Sequence, residues 1–570
     1  KRLLIATTDL ISANAKQVCD APQAKEVTRF MLSHFESSSQ EYPKRIEDLD
    51  KPKKKKIPEP RAHQIEAIAA VAKQFKTVDR GQLIMACGTG KTYTTLWVKE
   101  KLAAQNTLVL LPSLGLLSQT LHEWAATRIK PFKALCVCSD QSVGKKDEDE
   151  SIMSVSDLGF PVTSDVKVIQ KFINGTGTRV IFSTYQSSPL IADAQKNKKL
   201  PAFDLVIADE AHRCAGKVGT DFSTVLNNKL IRADKRLFAT ATPRVYSAAI
   251  KTAAEGRGVE MVGMDDEALF GKVLYSLPFG KAIAGNLLTD YQVIIIGVDN
   301  PMIAKWIKDR ELLAIDPKNT MDAQTLASQI GLLKAINDYD LKRVISFHSR
   351  VNRAESFVHD IQKVAAWVPK KHRPSGSLIT DYVSGTMPTD KRRQKLDRIR
   401  NLVTGERGIL SNARCLSEGV DVPSLDGVAF IDPRASQVDI IQAVGRAIRL
   451  STNKKIGTIV LPVFIADGEN AQASIEASNF KPIWDVLIAL RAHDDVLSQE
   501  LDQARTALGK NTLSKNKQGG LANIVVDLPS SVDTSFSNSL KTYLVEQVTE
   551  SWHFWYGLLL KYVEVNGSAK

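Results

Sequence analysis

The residues with the plainest chemistry are Ala86-Cys87-Gly88-Thr89-Gly90-Lys91-Thr92, followed at a distance by Asp209-Glu210-Ala211-His212. A turn with glycines at 88 and 90 lets backbone N–H groups curl around phosphate oxygens without Cβ clashes, at the positive end of a helix. Lys91 would reach the terminal phosphates, and the Thr92 hydroxyl would bind Mg²⁺. The acidic motif ends an apolar run, Leu205-Val206-Ile207-Ala208. Asp209 then sits at a strand's carboxyl end, where it can complete the Mg²⁺ shell, with Glu210 beside it to polarise the attacking water. The two motifs together imply a chain that holds a nucleoside triphosphate and cuts it.

These residues need a scaffold, and the flanking sequence supplies one. Leu83-Ile84-Met85 reads as a strand leading into the glycine turn, and a helical pattern runs from Thr92 to about Ala104. Further strand-like runs at Thr107–Leu111, Arg179–Phe182, Leu205–Ala208 and Arg236–Ala239 alternate with helical patterns. That alternation implies a parallel sheet covered by helices on both faces. A second series, Val293–Ile296, Val344–Phe347, Gly408–Leu410, Val428–Ile431 and Thr458–Leu461, implies a second doubly wound domain. Ligands of such sheets sit at the carboxyl ends of the strands, where the motifs fall.

At 570 residues the chain exceeds a single core, and 43% hydrophobic and 24% charged residues are those of a globular protein. It has no apolar run of about eighteen residues, so no membrane span is expected. A net charge of +13, from 76 basic and 63 acidic side chains, fits a polyanionic partner without requiring one. Six scattered cysteines, among them the isolated pair Cys136 and Cys138, make no zinc pattern and fit a reducing cytoplasm. The first residue is Lys1 with no signal region behind it, which reads as a piece of a longer chain. Three segments read as connectors: the basic linker Lys51–Lys56, the acidic excursion Lys145–Ser156 and the flexible Gly509–Gly520.

Taken in order, the motifs resemble those of superfamily 2 helicases and translocases, over roughly Pro58 to Leu461. The resemblance implies an α/β chain with two RecA-like doubly wound parallel-sheet domains in tandem, using ATP and Mg²⁺. Arg61-Ala62-His63-Gln64 looks like the motif that reads adenine, and Gln64 has the donor and acceptor to match its edge. Thr240-Ala241-Thr242-Pro243 resembles the motif linking nucleotide state to nucleic-acid grip. Gly419-Val420-Asp421 resembles a segment that approaches the nucleotide. The run from Gln442 to Arg449 resembles the arginine-finger motif. Arg446 and Arg449, three residues apart, would share a face and stabilise charge on the transferring γ-phosphate. By the same resemblance Pro112, Ser113, Ser183, Thr184, Tyr185, His348, Ser349, Asn412 and Arg414 would contact a phosphate backbone without reading its sequence. Asp209-Glu210-Ala211-His212 is the DEAH form of its box, which does not choose between DNA and RNA.

The flanks point to DNA. Arg2–Ala15 is similar to the closing strand and turn of a restriction-endonuclease-like domain, as found ahead of the motor in large bacterial restriction enzymes. Ser551–Gly567 resembles the opening of a helicase-associated repeat, and Phe480–Leu501 reads as an amphipathic stretch packed on the motor. Aromatic residues in both stretches are expected in cores rather than as base-stacking platforms. The expected layout is the end of a nuclease-like domain plus linker over 1–56, a first RecA-like domain over 57–285 and a second over 286–466. A mainly helical extension follows over 467–545, and the opening of a repeat over 546–570. The implied activity is an ATP-dependent DNA translocase or helicase of a restriction or phage-defence type protein. An RNA helicase and an ATP-switched DNA-binding scaffold are the alternatives.

Overall fold

The computed structural model of the protein describes residues 58–138, 162–246, 248–257, 259–299, 301–303, 323–385, 387, 389–413, 425–432, 436–451, 454, 456–466, 470–478, 480–510 and 523–568. Within the first 57 residues it also describes 2–5, 12, 14, 15, 18, 27–30, 32, 45 and 47. The connectors Lys51–Lys56 and Lys145–Ser156 lie outside the described residues, as does nearly all of Gly509–Gly520. The chain divides into two units, Lys1–Leu277 with Pro388–Asp390, and Pro278–Met387 with Lys391–Lys570.

The first unit is built on an eight-stranded sheet. Across it run Lys272–Leu277, Arg80–Met85, Ala233–Thr240, Phe203–Asp209, Asn106–Leu111, Arg179–Thr184, Lys133–Val137 and Val162–Thr163. Every described pairing in it is parallel. Its central strands read as unbroken apolar runs because both faces are covered; Asn106–Leu111 and Arg179–Thr184 are buried at every position. Leu108, Ile181, Phe203, Val206 and Phe238 fill the core on one side. The order brings the carboxyl ends of Arg80–Met85, Ala233–Thr240 and Phe203–Asp209 side by side. In the N-terminal region Arg2–Ile5 pairs in parallel with Val27–Phe30.

The second unit carries seven parallel strands in the order Ser377–Ser384, Glu406–Ala413, Arg343–His348, Gly427–Asp432, Ile456–Ile465, Asp290–Asp299 and Ile524–Asp527. Ile330 and Leu333 of the helix Ala323–Asp338 pack on Ile294, Ile296, Val344 and Val460. These are the two tandem RecA-like domains expected. The last strand is a surprise, since the region beyond residue 467 reads as helical. Ile524-Val525-Val526-Asp527 is too short to show a period, yet it extends the sheet beside Val293–Ile296.

The stretch Phe480–Leu501 is two helices, Lys481–His493 and Asp495–Gly509. Asp494 breaks it: one carboxylate oxygen accepts the N–H groups of Val496 and Leu497, and the other accepts the Tyr291 hydroxyl at 2.7 Å. Leu487 and Leu490 are buried, and Trp484 stacks on Phe480, so this stretch packs as expected. The helix Ser551–Asn566 departs from expectation. It lies against Asp495–Gly509 at a glycine crossing, where a Cβ on Gly557 would meet the Thr506 carbonyl oxygen at 2.1 Å. Its aromatics are not core residues: Trp552 is 62% exposed and Trp555 65%. Among the described residues no helix is long and apolar enough to cross a membrane.

Candidate active site

The strand Arg80–Met85 delivers the chain into the glycine turn, and the helix Lys91–Lys101 leaves it. Gly88 and Gly90 both take φ of +85°, a left-handed conformation that Cβ disfavours. A side chain on Gly90 would also strike the Gln64 amide nitrogen, 2.6 Å from the Cβ position. The turn is braced from inside by the Thr89 hydroxyl, which donates to the Ala86 carbonyl at 2.7 Å. It is braced from behind by the helix Ala62–Gln74. There the His63 ring nitrogen Nε2 meets the Thr89 carbonyl at 2.9 Å, and the Gln64 amide donates to the Gly90 carbonyl at 3.1 Å and to the Thr94 hydroxyl at 3.3 Å. Gln64 Oε1 accepts the Arg61 N–H. Gln64 is thus buried and engaged with the loop, while Arg61 is exposed.

Across the sheet, Lys91 Nζ lies 2.8 Å from Glu210 Oε1 and 3.5 Å from Asp209 Oδ1. The structure therefore brings Lys91, Asp209 and Glu210 together from positions more than a hundred residues apart. Burial opposes the Lys91 charge, but the two carboxylates outweigh it and hold its pKa above the usual lysine range. Burial raises Asp209, with the Glu210 charge adding to it. For Glu210 burial acts upward as well, but Lys91 and then His212 overcome it and leave the carboxyl below its usual pKa. An ionised Glu210 is what a base or water-orienting group needs.

Glu210 itself takes φ of +49°, a left-handed conformation unusual for a residue with a side chain. It ends the strand and starts the short 3₁₀ turn Ala211–Cys214. His212 on that turn places Nδ1 3.0 Å from the Thr240 hydroxyl, 3.3 Å from the Thr242 hydroxyl and 3.4 Å from Glu210 Oε2. Burial pushes its pKa down to about 4, so it is neutral at pH 7 and works as a hydrogen-bonding bridge between the acidic motif and Thr240-Ala241-Thr242. The Trp124 indole donates to the Thr92 carbonyl at 3.0 Å, tying the next helix to the phosphate loop; sequence reading gave no sign of this tie.

Mg²⁺ suits the donors present. Asp209 and Thr92 offer hard oxygens, and among the described residues no cluster of three or more His, Cys, Asp or Glu could enclose a metal. Mg²⁺ beside a triphosphate is held by one or two protein oxygens, with phosphate and water completing its shell.

The residues expected to contact a phosphate backbone divide by burial. Pro112, Ser183, Thr184, Tyr185, His348 and Asn412 are buried, so a phosphate contact at these positions would fall to main-chain groups. The reason is local: each falls inside or immediately after a central strand, where the chain has not yet cleared the covering helices. Ser113 caps the helix Leu114–Thr127 by accepting the Leu116 N–H. The Ser349 hydroxyl donates to the Asp432 carboxylate. Both serines are partly exposed. Gln442 and Arg446 are buried one turn apart on the helix Gln437–Ala447, and Arg449 follows two residues past its end. Arg414, Gly419 and Asp421 lie outside the described residues.

A phosphate loop, a lysine-bridged acidic pair and a second parallel sheet define the class of ATP-hydrolysing motor proteins with tandem RecA-like domains. Residues 57–245 match the family described as type III restriction enzyme, res subunit, and residues 329–451 match the helicase conserved C-terminal domain. The two matches are those of the first and second halves of a superfamily 2 helicase core, and the chain carries both. The chain is similar to a solved type ISP restriction-modification enzyme, LlaBIII, described as ATP-dependent and bound to DNA. The match is 28% identical with a TM-score of 0.79, covering 96% of this chain and 37% of that one. A nuclease-deletion mutant of the type ISP enzyme LlaGI with a DNA substrate mimic matches at 26% identity and TM-score 0.57, covering 86% and 32%. A protein named as a probable helicase of African swine fever virus is 27% identical over 413 residues, 71% of this chain and 41% of the relative. The chain thus spans less than half the length of each of these proteins.

Proposed function

We propose that this chain is the motor of a cytoplasmic restriction-type protein, coupling ATP hydrolysis to movement on DNA. The observation that carries the reading is the Lys91–Glu210–Asp209 cluster, gathered at the carboxyl ends of two strands that flank Ala233–Thr240 in one sheet. On arrival of ATP, Lys91 exchanges carboxylate for terminal phosphate oxygens, which frees Glu210 to take up the attacking water. Thr92 and Asp209 hold Mg²⁺, which neutralises charge on the phosphates when bound. Gln64, whose amide is taken up by Arg61, Gly90 and Thr94, braces the loop from behind rather than offering its amide to adenine, and Gly419, Asp421 and Gln442 are further nucleotide contacts. Arg446 and Arg449 stabilise the charge of the transferring phosphate. The DNA partner is supported by the likeness to the type ISP enzymes. A nuclease-like region ahead of residue 57 and helicase-associated repeats beyond residue 546 complete the proposed protein.

ATP turnover measured with duplex DNA, single-stranded DNA and single-stranded RNA tests this. Stimulation by DNA is expected, and Lys91→Ala should abolish turnover while the circular dichroism spectrum is retained. Normal turnover by pure Lys91→Ala protein would refute the site, and stimulation by RNA alone would refute the DNA partner.

A further inference from the structure

Tyr185 is fully buried, yet it ends in a hydroxyl, and that hydroxyl has a specific target. It donates to the main-chain carbonyl of Asp209 at 2.7 Å, across 24 residues of sequence. The strand before it, Arg179–Thr184, is not the neighbour of Phe203–Asp209, because Asn106–Leu111 runs between them. The bond therefore crosses about two strand spacings of roughly 4.8 Å each. Only a long, stiff side chain with a polar tip can do this from the core.

The target is the last residue of its strand. The parallel ladder with Asn106–Leu111 ends at Ala208, Asp209 is paired only on the other side, with Ala239, and Glu210 turns left-handed immediately after it. A non-glycine residue in that conformation is disfavoured and persists only where its surroundings fix it. The phenol supplies a donor to the Asp209 carbonyl just past the end of the ladder with Asn106–Leu111. The ring is held in turn by Phe222, stacked at 5.3 Å between centroids. The other end of the lever is the turn Tyr185–Ser187, closed by a bond from the Thr184 hydroxyl to Ser187 Oγ at 3.1 Å. Its middle residue, Gln186, is partly exposed at the carboxyl rim of the sheet.

We propose that Tyr185 is a positioning residue that transmits polynucleotide contact at the turn Tyr185–Ser187 to the Asp209–Glu210 peptide, and so sets the stimulated rate of ATP cleavage. The inference rests on the motor reading above. Contact at Gln186 shifts the turn, the ring moves as a rigid lever, and the Glu210 carboxylate is re-aimed by its own main chain.

The test is Tyr185→Phe in the 570-residue chain, which removes one oxygen and keeps the ring. The readout is the ratio of kcat with saturating mixed-sequence duplex DNA to kcat without it, alongside KM for ATP. The ratio is expected to fall at least fivefold, with KM within twofold of wild type. A merely structural role lowers both rates together and leaves the ratio unmoved, so a ratio within twofold overturns the proposal. If Tyr185→Phe does not fold, Phe222→Leu carries the test, since it loosens the ring and leaves the hydroxyl. At least a twofold fall in the ratio is expected there, and an unchanged ratio overturns the proposal. A wild-type chain that DNA does not stimulate would sink the motor reading itself, whereas stimulated wild type with an unaltered variant sinks only the lever.

Discussion

The carboxyl ends of the two sheets distribute their charge differently. In the first, Lys91 meets the buried Asp209 and the partly buried Glu210, and a neutral His212 reaches the next strand. In the second, the edge carboxylates are met separately, Asp432 by Arg353 at 2.7 Å and Asp299 by the Met302 N–H at 2.9 Å, and a neutral polar layer lies just inside them. Ser346 and Ser411 hydroxyls meet at 2.8 Å, His348 Nε2 joins Ser346 at 3.1 Å, and Asn412, next to Ser411 in sequence, is buried too. Burial pushes His348 down to about 4, so this layer also carries no charge from its imidazole at pH 7. Charges taken out of water need paired charges, whereas neutral polar groups need only hydrogen bonds. The first sheet therefore concentrates two carboxylates on one lysine where a triphosphate must be met, whereas the second keeps its ion pair at the half-exposed rim and neutral groups inside.

That contrast sets an order of mutational effects. Glu210→Gln should lower kcat for ATP by on the order of 10³-fold with nucleotide binding retained, since it removes the base and keeps the shape. Retained turnover, measured by phosphate release, would break the assignment of hydrolysis to the first sheet. Arg446→Ala should cost about 10³-fold in kcat with little change in affinity for a fluorescent ATP analogue. A change in affinity alone would make the second unit a binding partner rather than a participant in the reaction.

A pH series compares both regions at once. His212, His348 and His493 are each lowered to about 4 by burial, against about 6.5 for an exposed histidine. The unfolded chain takes up protons near pH 6.5 that the folded chain refuses until about 4, so this contribution is intact above 6.5 and is lost as pH falls through that window. The thermal midpoint should drop steadily from about pH 7 to about 4.5, and a flat profile would contradict the neutral bridges. The smallest effect belongs to Ser113→Ala, which removes a helix cap. It should lower unfolding free energy by about 1 kcal/mol in urea titrations.

What could be read in advance follows from burial. Central strands such as Asn106–Leu111 are covered on both faces and announce themselves as apolar runs. Lys133–Val137, Lys272–Leu277, Ser377–Ser384 and Ile524–Asp527 lie at or near the sheet margins with partly exposed residues, so polar side chains dilute the same signal. The phosphate loop was legible because its chemistry demands glycine at fixed spacing. The roles of Tyr185 and Trp124 were not, because each depends on a hydrogen bond to a main-chain atom in a distant segment, and such an atom leaves no mark on residue type.

The tie between Trp124 and the residue after Lys91 has a practical consequence. An indole bonded to the loop is a native optical probe: any rearrangement around Thr92 alters the surroundings of that N–H and hence its emission. Nucleotide arrival could be followed in the unlabelled chain by the fraction of fluorescence that Trp124→Phe removes.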